Sequence, residues 1–341
     1  MLSQSHANKR ILWIACSLVA AYALIAGAIY LVGRHIERDD NAAADTVGDL
    51  SGRFSAGITK TYNGKTYQYR GNKLMNILLI GADRRDIVAQ STQRNGGQAD
   101  FLLLLCIDRS KKTITPIQLD RDTMTQIQIY GTFGDPAGTR LEQICLAQAF
   151  GNTLAQSSEN TVSAVEQLLS GIEIDHYLAM DMAGIGALND ALGGVTVTLN
   201  DDFSSMDPAM SKGETLTLTG AQAEIFVRGR MNVSDGTNSS RMVRQRAFLV
   251  SAFELFAQRM NEDMEFAGNL FDALGDHAGS DMSRGYLINE AYACTKYAQA
   301  DILTPAGSHT IGTDGFVEFY PDEDALNAMV INVFFEAQND R

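Results

Sequence analysis

Three short apolar runs constrain the fold of this chain more strongly than any other feature of its sequence. The runs are NILLIG (76–81), FLLLLCID (101–108) and TITPIQL (113–119), and each is bounded by polar residues. They are too brief for independent helices, and runs of this kind are typical of strands buried on both faces of a sheet. Helical patterns lie between and after them. Because strands alternate with helices, the sequence predicts a layered α/β sandwich.

Turn and capping residues predict the remaining elements. Asn63-Gly64 inside TYNGKTYQY (61–69) predicts a tight hairpin. Two further strands are predicted at HYLAM (176–180) and VTVTL (195–199). Four helices are predicted: from an N-cap at Asn160 to Gly171, from Asp181 to Gly193-Gly194, from an N-cap at Thr219 to Val227, and from Ser239 or Ser240 to about Met260. The end of the chain, within residues 262–341, predicts a strand, a turn and a closing helix.

An uninterrupted apolar segment precedes the folded part of the chain. Residues 11–33 are 23 consecutive uncharged, mostly apolar residues, which is long enough to cross a hydrocarbon core as a helix. The predicted order is a short cytoplasmic tail (1–10), this transmembrane helix, a juxtamembrane linker (34–57) and an extracellular domain (58–341). A cleaved signal peptide is the alternative, because Ala26-Gly27-Ala28 resembles a cleavage site. In both cases residues 40–341 are expected outside the cytoplasmic membrane.

Charge and cysteine content exclude two classes of protein. The formal net charge is -14, so most of the surface repels polyanions and general nucleic-acid binding is not expected. Outside the predicted span there are three cysteines, Cys106, Cys145 and Cys294, with no CxxC or Cys/His spacing. A disulfide framework or a zinc site is therefore not expected.

Charged residues stand at the ends of the apolar runs rather than along them. NILLIG is followed by Asp83 and Arg85, Asp100 stands just before FLLLL, and IQLD is followed by Arg121 and Asp122. Charges placed at strand ends are what an α/β fold uses to build a site at the edge of its sheet. Solvated turns are the alternative interpretation of each segment taken alone.

Arginines are concentrated in one segment of this acidic chain. Residues 225–246 contain Arg228, Arg230, Arg241, Arg244 and Arg246. On the longest predicted helix, Arg241, Arg244 and Gln245 are spaced i, i+3, i+4, so they share a face close to the helix N-terminus, where an anion is favoured. Guanidinium groups match phosphate oxygens in geometry and charge. The segment therefore predicts a phosphate site, with a solvated surface helix as the alternative.

Two aspartates are candidate metal ligands. Asp83 and Asp100 offer oxygen ligands for a hard divalent cation such as Mg²⁺, which takes one or two carboxylates together with phosphate oxygens and water. Clustered arginine and aspartate without Cys or His ligands indicate pyrophosphate chemistry rather than hydrolysis at a zinc or serine site.

Residues 74–260 resemble the LytR-CpsA-Psr family in the order and spacing of several segments. The matching segments are NILLIGADRR, the strand at Asp100, IQLDRDTMTQI, the stretch from NTVSAVEQLL to LNDDF, LTGAQAEIFVRGR and SRMVRQRAFL. The resemblance implies a three-layer α/β/α sandwich with a mixed central sheet, preceded by one N-terminal transmembrane helix. It further implies a membrane-anchored, Mg²⁺-assisted phosphotransferase that moves a glycopolymer from a polyprenyl-pyrophosphate-linked donor to peptidoglycan.

The same resemblance implies roles for individual residues. The catalytic roles fall on Arg121, Asp122, Arg228 and Arg230. Substrate binding falls on Arg85, Arg241, Arg244, Gln245 and Asp235, and metal binding on Asp83 and Asp100. Asp122 is either the general base or a residue that orients Arg121. The lipid tail of the donor is expected in an apolar groove between the sheet and the helices.

Three positions depart from the family pattern. Gln98 stands where the family commonly has arginine, Asp120 where it has proline, and Asn238 where it has aspartate. Asp235 and Arg94 are candidates to replace the missing aspartate and arginine. The departures keep open a second function, a non-catalytic protein of the same fold that binds polyprenyl phosphate or glycolipid. A transcriptional regulator, a third possibility, is opposed by the predicted span and the acidic charge.

Overall fold

The computed structural model describes residues 58–83, 97–131, 135–230 and 233–338. The predicted cytoplasmic tail, transmembrane helix and linker lie outside the described residues, as do Arg85 and Arg94. Within the four described ranges, every helix is too short or too polar to cross a membrane.

The described residues form β-strands of two to ten residues. In chain order they are β1 (Thr59–Tyr62), β2 (Lys65–Tyr69), β3 (Leu74–Ala82), β4 (Ala99–Asp108), β5 (Thr113–Leu119), β6 (Met124–Tyr130), β7 (Pro136–Gln143), β8 (His176–Asp181), β9 (Thr196–Thr198), β10 (Thr215–Thr217), β11 (Ala278–Ser280), β12 (Ala298–Gln299), β13 (Gly307–Ile311), β14 (Val317–Pro321) and β15 (Phe335–Ala337).

Helices connect and flank these strands. The α-helices are α1 (Leu154–Leu168), α2 (Met182–Leu192), α3 (Gly220–Arg228), α4 (Asn238–Glu262), α5 (Phe266–Leu274), α6 (Arg284–Cys294) and α7 (Glu323–Phe334). Short 3₁₀ helices occupy Gly71–Lys73, Ile144–Phe150 and Gly275–His277.

The central sheet has six strands in the order β11-β8-β3-β4-β5-β12. β3 pairs in parallel with β8 and antiparallel with β4, and β4 pairs antiparallel with β5. The three apolar runs are thus the three neighbouring strands β3, β4 and β5. The end of β3, the start of β4 and the end of β5 meet at one edge of the sheet, which brings the charged residues of the three runs together.

Two helices lie against one face of this sheet. Met75 of β3 and Ile107 of β4 pack against Tyr286 of α6. Nearer the charged edge, Gln118 of β5 donates a hydrogen bond from Nε2 to Oε1 of Gln245 in α4 over 3.0 Å. These contacts place α6 and α4 over the same face.

The opposite face of the sheet is covered by other elements. Its side chains, which include Leu78, Ile80, Leu102 and Leu104, are almost fully buried. The 3₁₀ helix Ile144–Phe150 contacts β4, and α1 contacts β8. The predicted mixed α/β fold with a central mixed sheet is confirmed.

A second apolar core anchors the first half of α4. It combines residues of α2, β9, α3, α4 and the loop after β9, among them Leu192, Val197, Phe203, Phe226 and Phe248. The rings of Phe203 and Phe226 lie 5.7 Å apart between centroids in a tilted arrangement, a favourable aromatic geometry. This packing fixes the position of the helix that carries most of the predicted phosphate-binding residues.

Several predicted turns and caps are confirmed. Asn63 and Gly64 both have positive φ, 48° and 74°, as a type I′ turn between β1 and β2 requires. Thr219 caps α3 in a reciprocal capping box with Gln222. Gly193 ends α2 in a left-handed conformation with φ 91°.

Two predicted N-caps are wrong, because a threonine is available earlier in the chain. Thr153 caps α1 by accepting a hydrogen bond from the backbone N–H of Gln156, so Asn160 lies inside the helix. Thr237 caps α4 by accepting from the backbone N–H of Ser240, so the predicted Ser239 or Ser240 cap is replaced.

Candidate phosphate-binding site

The carboxylate of Asp100 joins two arginines from distant parts of the chain. Arg121, two residues after β5, donates from Nη1 to Oδ1 of Asp100. Arg241, in the first turn of α4, donates from Nη1 to Oδ2 over 2.9 Å. Because β4 begins where β5 ends, the sheet edge and the start of α4 converge on this carboxylate. The structure thus brings these three predicted site residues into contact.

Arg121 is held by three further groups. Its Nη2 donates to Oε1 of Gln98 and contacts Sγ of Cys145 at 3.3 Å, and its Nε donates to Oδ1 of Asp122 over 3.2 Å. Gln98 therefore contributes an acceptor for Arg121. Since contacts at Nε, Nη1 and Nη2 fix one guanidinium plane, Arg121 is held in a single orientation at the site.

Asp122 is a buried carboxylate with one unused oxygen. Its Oδ2 is buried and has no hydrogen-bond partner among the described residues. Burial, followed by the neighbouring charge of Asp120, raises the pKa of Asp122, while Arg121, Arg230 and Arg241 oppose the shift. A carboxylate with a raised pKa and a free oxygen can accept a proton more readily than an ordinary surface aspartate.

The arginines of the site repel one another. Burial and the charges of Arg121 and Arg230 lower the pKa of Arg241 to about 10. The guanidinium stays positive at neutral pH, so three positive groups lie near one another in a partly buried site that also contains Asp100 and Asp122. Arg230 donates from Nε to the backbone oxygen of Gly236 over 3.1 Å and forms no ion pair with a described carboxylate. An anion placed between these groups would relieve their repulsion.

Two residues that depart from the family pattern bond to each other. Nδ2 of Asn238 donates to Oδ1 of Asp120 over 2.7 Å, and Oδ1 of Asn238 accepts from Nη2 of Arg241 over 2.7 Å. Both side chains are buried. The sequence identified Asp120 and Asn238 as departures without assigning them a contact. Because both positions depart from the family pattern in the same chain, the two departures together could have predicted this hydrogen bond.

Other predicted site residues are engaged elsewhere. Arg244 donates to Asp201 over 2.7 Å and to the backbone oxygen of Gly229, and its guanidinium lies over the ring of Phe203. Gln245 accepts from Gln118. Neither side chain has a hydrogen bond to Asp100 or Asp122, although both share the helix face of Arg241.

Arg228 and Asp235 are exposed residues with local partners. Arg228 forms an i, i+4 ion pair with Glu224 of α3. Oδ1 of Asp235 accepts hydrogen bonds from the backbone N–H and the hydroxyl of Thr237. A hydrogen bond from Ser240, followed by these two, lowers the pKa of Asp235 to about 2. Asp235 thus supports the start of α4 and has no hydrogen bond or ion pair with Arg241 in the described site.

The two predicted metal ligands lie at the same sheet edge. Oδ1 of Asp83 accepts from the backbone N–H of Gln98 over 2.6 Å, and the carboxylate is exposed. Both oxygens of Asp100 already bond arginines, yet each carboxylate has about four acceptor positions. No group of three His, Cys, Asp or Glu side chains in the described part of the chain forms a closed metal site. The two residues suit a cation that takes its remaining ligands from phosphate and water.

The raised pKa of Asp122 predicts how stability responds to its removal. Because the pKa of Asp122 is raised in the folded state, its protonated form favours folding. This contribution to stability is fully present at pH values below 3.8, the ordinary pKa of aspartate. This contribution is lost as pH rises through the folded-state pKa. We expect Asp122→Asn to unfold at a higher denaturant concentration than the wild type at pH 7.5, with the difference vanishing below about pH 3.8.

Urea unfolding over a pH series measures this difference. Asp276→Asn, a change at an exposed aspartate, is the control and should leave the midpoint unchanged at every pH. If Asp122→Asn unfolded at a lower urea concentration than the wild type at pH 7.5, the interpretation that the folded state disfavours the charged form of Asp122 would be wrong.

Comparison with known proteins places this chain in one family. The LytR_cpsA_psr family model matches residues 44–329. The polyisoprenyl-teichoic acid–peptidoglycan teichoic acid transferase TagU of Halalkalibacterium halodurans is 28% identical over 238 residues, which cover 70% of this chain and 71% of the relative. TagU of Oceanobacillus iheyensis is 28% identical over 277 residues, covering 79% and 76%.

Solved structures share the fold. A structure of TagT bound to LI-WTA has a TM-score of 0.59 and 20% identity, and the match covers 82% of this chain and 96% of TagT. Protein gbs0355 from Streptococcus agalactiae has a TM-score of 0.63 and 20% identity, with 77% and 87% coverage. With the family model matching most of its length, this chain belongs to the LytR-CpsA-Psr family.

Proposed function

We propose that this chain is a phosphotransferase that moves a glycopolymer from a polyprenyl-pyrophosphate-linked donor to a hydroxyl of peptidoglycan. The relatives named above are transferases that join teichoic acid to peptidoglycan, and the chemistry of the site agrees with that reaction class. The observation that carries the proposal is the grouping of Arg121, Arg230 and Arg241 around two aspartates at the sheet edge.

The arginines supply the electrostatic part of the reaction. A glycan hydroxyl attacks the phosphorus that carries the glycopolymer, the bond to the bridging oxygen breaks, and polyprenyl phosphate leaves. Negative charge shifts to the leaving phosphate, where Arg121 and Arg241 can donate charge-assisted hydrogen bonds. Their contacts with Asp100 keep both guanidinium groups aimed at one place.

Asp122 is the candidate general base. Its Oδ2 is the carboxylate oxygen without a hydrogen bond in the described site, and its raised pKa brings it closer to the operating pH. The proton of the attacking hydroxyl would pass to this oxygen. Asp122 also accepts a hydrogen bond from Arg121, so it orients that guanidinium as well.

Mg²⁺ is a proposed cofactor of the reaction. Asp83 and Asp100 would hold it, and when bound it would neutralise charge on the diphosphate. We expect a chelator to lower transfer and added Mg²⁺ to restore it. Asp83→Asn should require a higher Mg²⁺ concentration for half-maximal transfer, whereas Asp276→Asn should not. Full transfer in excess chelator would rule out the cofactor.

The lipid part of the donor has a proposed path over the sheet. Leu79, Phe101 and Leu105 lie on the face that α4 and α6 cover, and they are only partly buried. A polyprenyl chain that follows this apolar surface would place its diphosphate at the charged edge. The proposed anchor, residues 11–33, would hold the domain beside the membrane that contains the donor.

A transfer assay separates the enzyme from the non-catalytic alternative. Full-length protein is mixed with a radiolabelled, lipid-linked glycopolymer and peptidoglycan fragments. The proposal predicts labelled peptidoglycan together with released polyprenyl phosphate. Tight retention of the lipid donor without any labelled product would instead support a binding protein of the same fold.

A further inference from the structure

The hairpin formed by β13 and β14 packs against the turn that carries Arg121. The backbone N–H of Phe319 donates to the backbone oxygen of Asp122 over 2.8 Å. Gln143 of β7 donates from Nε2 to the backbone oxygen of Val317 over 2.6 Å. The hairpin comes from the C-terminal part of the chain, for which the sequence predicted no role in the site.

One side chain of this hairpin reaches a buried carboxylate. Nε2 of His309 lies 2.9 Å from Oδ2 of Asp120, and the imidazole ring packs on Phe319 with centroids 4.8 Å apart. Within the described residues, Oδ2 of Asp120 has no other hydrogen bond. Oδ1 of Asp120 accepts from Nδ2 of Asn238 and from the backbone N–H of Asp122. His309 therefore helps to fix the rotation of the Asp120 carboxylate, together with the two donors at Oδ1.

The orientation of Asp120 determines the orientation of an amide. Nδ2 of Asn238 points to Asp120, so Oδ1 of Asn238 faces Arg241 and accepts from both its Nε and Nη2, over 3.1 and 2.7 Å. If the amide turned over, its NH₂ group would face a guanidinium, which has no acceptor. The hydrogen bonds thus run from His309 through Asp120 and Asn238 to Arg241.

We propose that His309 is a positioning residue for Arg241. By donating from Nε2 to Asp120, it holds Asn238 in the orientation that presents an acceptor to Arg241, and it thereby aims the guanidinium at Asp100 and at the diphosphate. The role in turnover rests on the proposed function, whereas the role in orienting Arg241 does not.

Two substitutions of similar size separate hydrogen bonding from packing. His309→Gln keeps an N–H donor near the position of Nε2, and His309→Met fills the space without a donor. We expect H309M to lower kcat for transfer about tenfold, within the range that misplacement of a catalytic group costs. H309Q should stay within about threefold of the wild type, and the KM for peptidoglycan should not change in either variant.

The chain offers a matched control at the other end of the sheet. Nδ1 of His176 lies 3.1 Å from Oδ2 of Asp281, and its ring packs on Tyr286 with centroids 5.0 Å apart. His176→Met therefore removes the same kind of His–Asp contact and ring packing away from the site. It should leave kcat unchanged. Equal losses in H309M and H309Q would overturn the proposal, because they would indicate a packing role.

A second measurement needs neither ligand nor turnover. Selective ¹⁵N labelling of arginine in the full-length protein reports the Nε–H signal of Arg241, assigned with Arg241→Lys. We expect this signal to shift or broaden in H309M, and to remain at the wild-type position in H309Q and H176M. An unchanged signal in H309M would overturn the proposal even if transfer is observed. If the Arg241 signal changes as expected in H309M but the wild type does not transfer glycopolymer, only the proposed function is rejected.

Discussion

Replacing Arg121 by alanine is expected to lower kcat/KM for glycopolymer transfer about 10²- to 10³-fold, the usual cost of removing one preorganised donor to a transition-state charge. Arg121 touches Asp100, Asp122, Gln98 and Cys145, so its loss removes both a phosphate donor and the group that aligns two carboxylates. Arg121→Lys keeps the charge and loses the planar fork, so we expect an intermediate rate.

Transfer kinetics with the lipid-linked donor measure this effect. The control is Arg140→Ala, which removes an exposed arginine of β7 that pairs with Glu142. This control should transfer at the wild-type rate. Thermal unfolding of each variant checks that the comparison is made on folded protein. Wild-type kinetics in folded R121A would remove Arg121 from the reaction.

The second large effect concerns stability. Asn238→Asp places a second carboxylate against the buried carboxylate of Asp120, at a contact of 2.7 Å in the wild type. Arg241 compensates part of the added charge, and we expect a loss of about 2–4 kcal/mol in the free energy of unfolding at pH 7.5. The repulsion raises the folded-state pKa of the pair. The deficit should therefore shrink as pH falls and the pair takes up a proton.

Asn269→Asp is a closely matched control for this substitution. The Asn269 amide also lies between an aspartate and an arginine, Asp263 and Arg284, but it is exposed to solvent. The change should alter the free energy of unfolding by less than about 0.5 kcal/mol. Urea unfolding at pH 7.5 and pH 4.5 compares the two variants. The buried contact between Asn238 and Asp120 would be contradicted if N238D and N269D lost the same free energy of unfolding. It would also be contradicted if the loss in N238D were larger at pH 4.5 than at pH 7.5.

Local sequence patterns were sufficient to predict β3, β4, β5 and β8, four of the six strands of the central sheet. NILLIG, FLLLLCID and TITPIQL became β3, β4 and β5 because buried strands need continuous apolar residues, and their charged ends met at one edge because neighbouring strands share it. The same geometry brought Arg121 to Asp100, whereas Arg241 reaches Asp100 from α4.

The side-chain partners that the sequence did not predict in the site depend on contacts between residues far apart in the chain. Arg241 and Arg244 share one helix face, and only the loop that carries Asp201 decides that Arg244 pairs away from Asp100. The contacts of His309 and Asn238 with Asp120 join segments far apart in the chain. Spacing along one element contains no information about such pairs.

A crystal structure of the protein with a polyprenyl diphosphate would show whether one diphosphate binds between Arg121, Arg230 and Arg241. We expect phosphate oxygens within hydrogen-bond distance of all three guanidinium groups, with the hydrocarbon chain against Leu79 and Leu105. A diphosphate bound at Arg228 or Arg244 instead, with the Asp100 cluster unchanged and empty, would contradict this expectation.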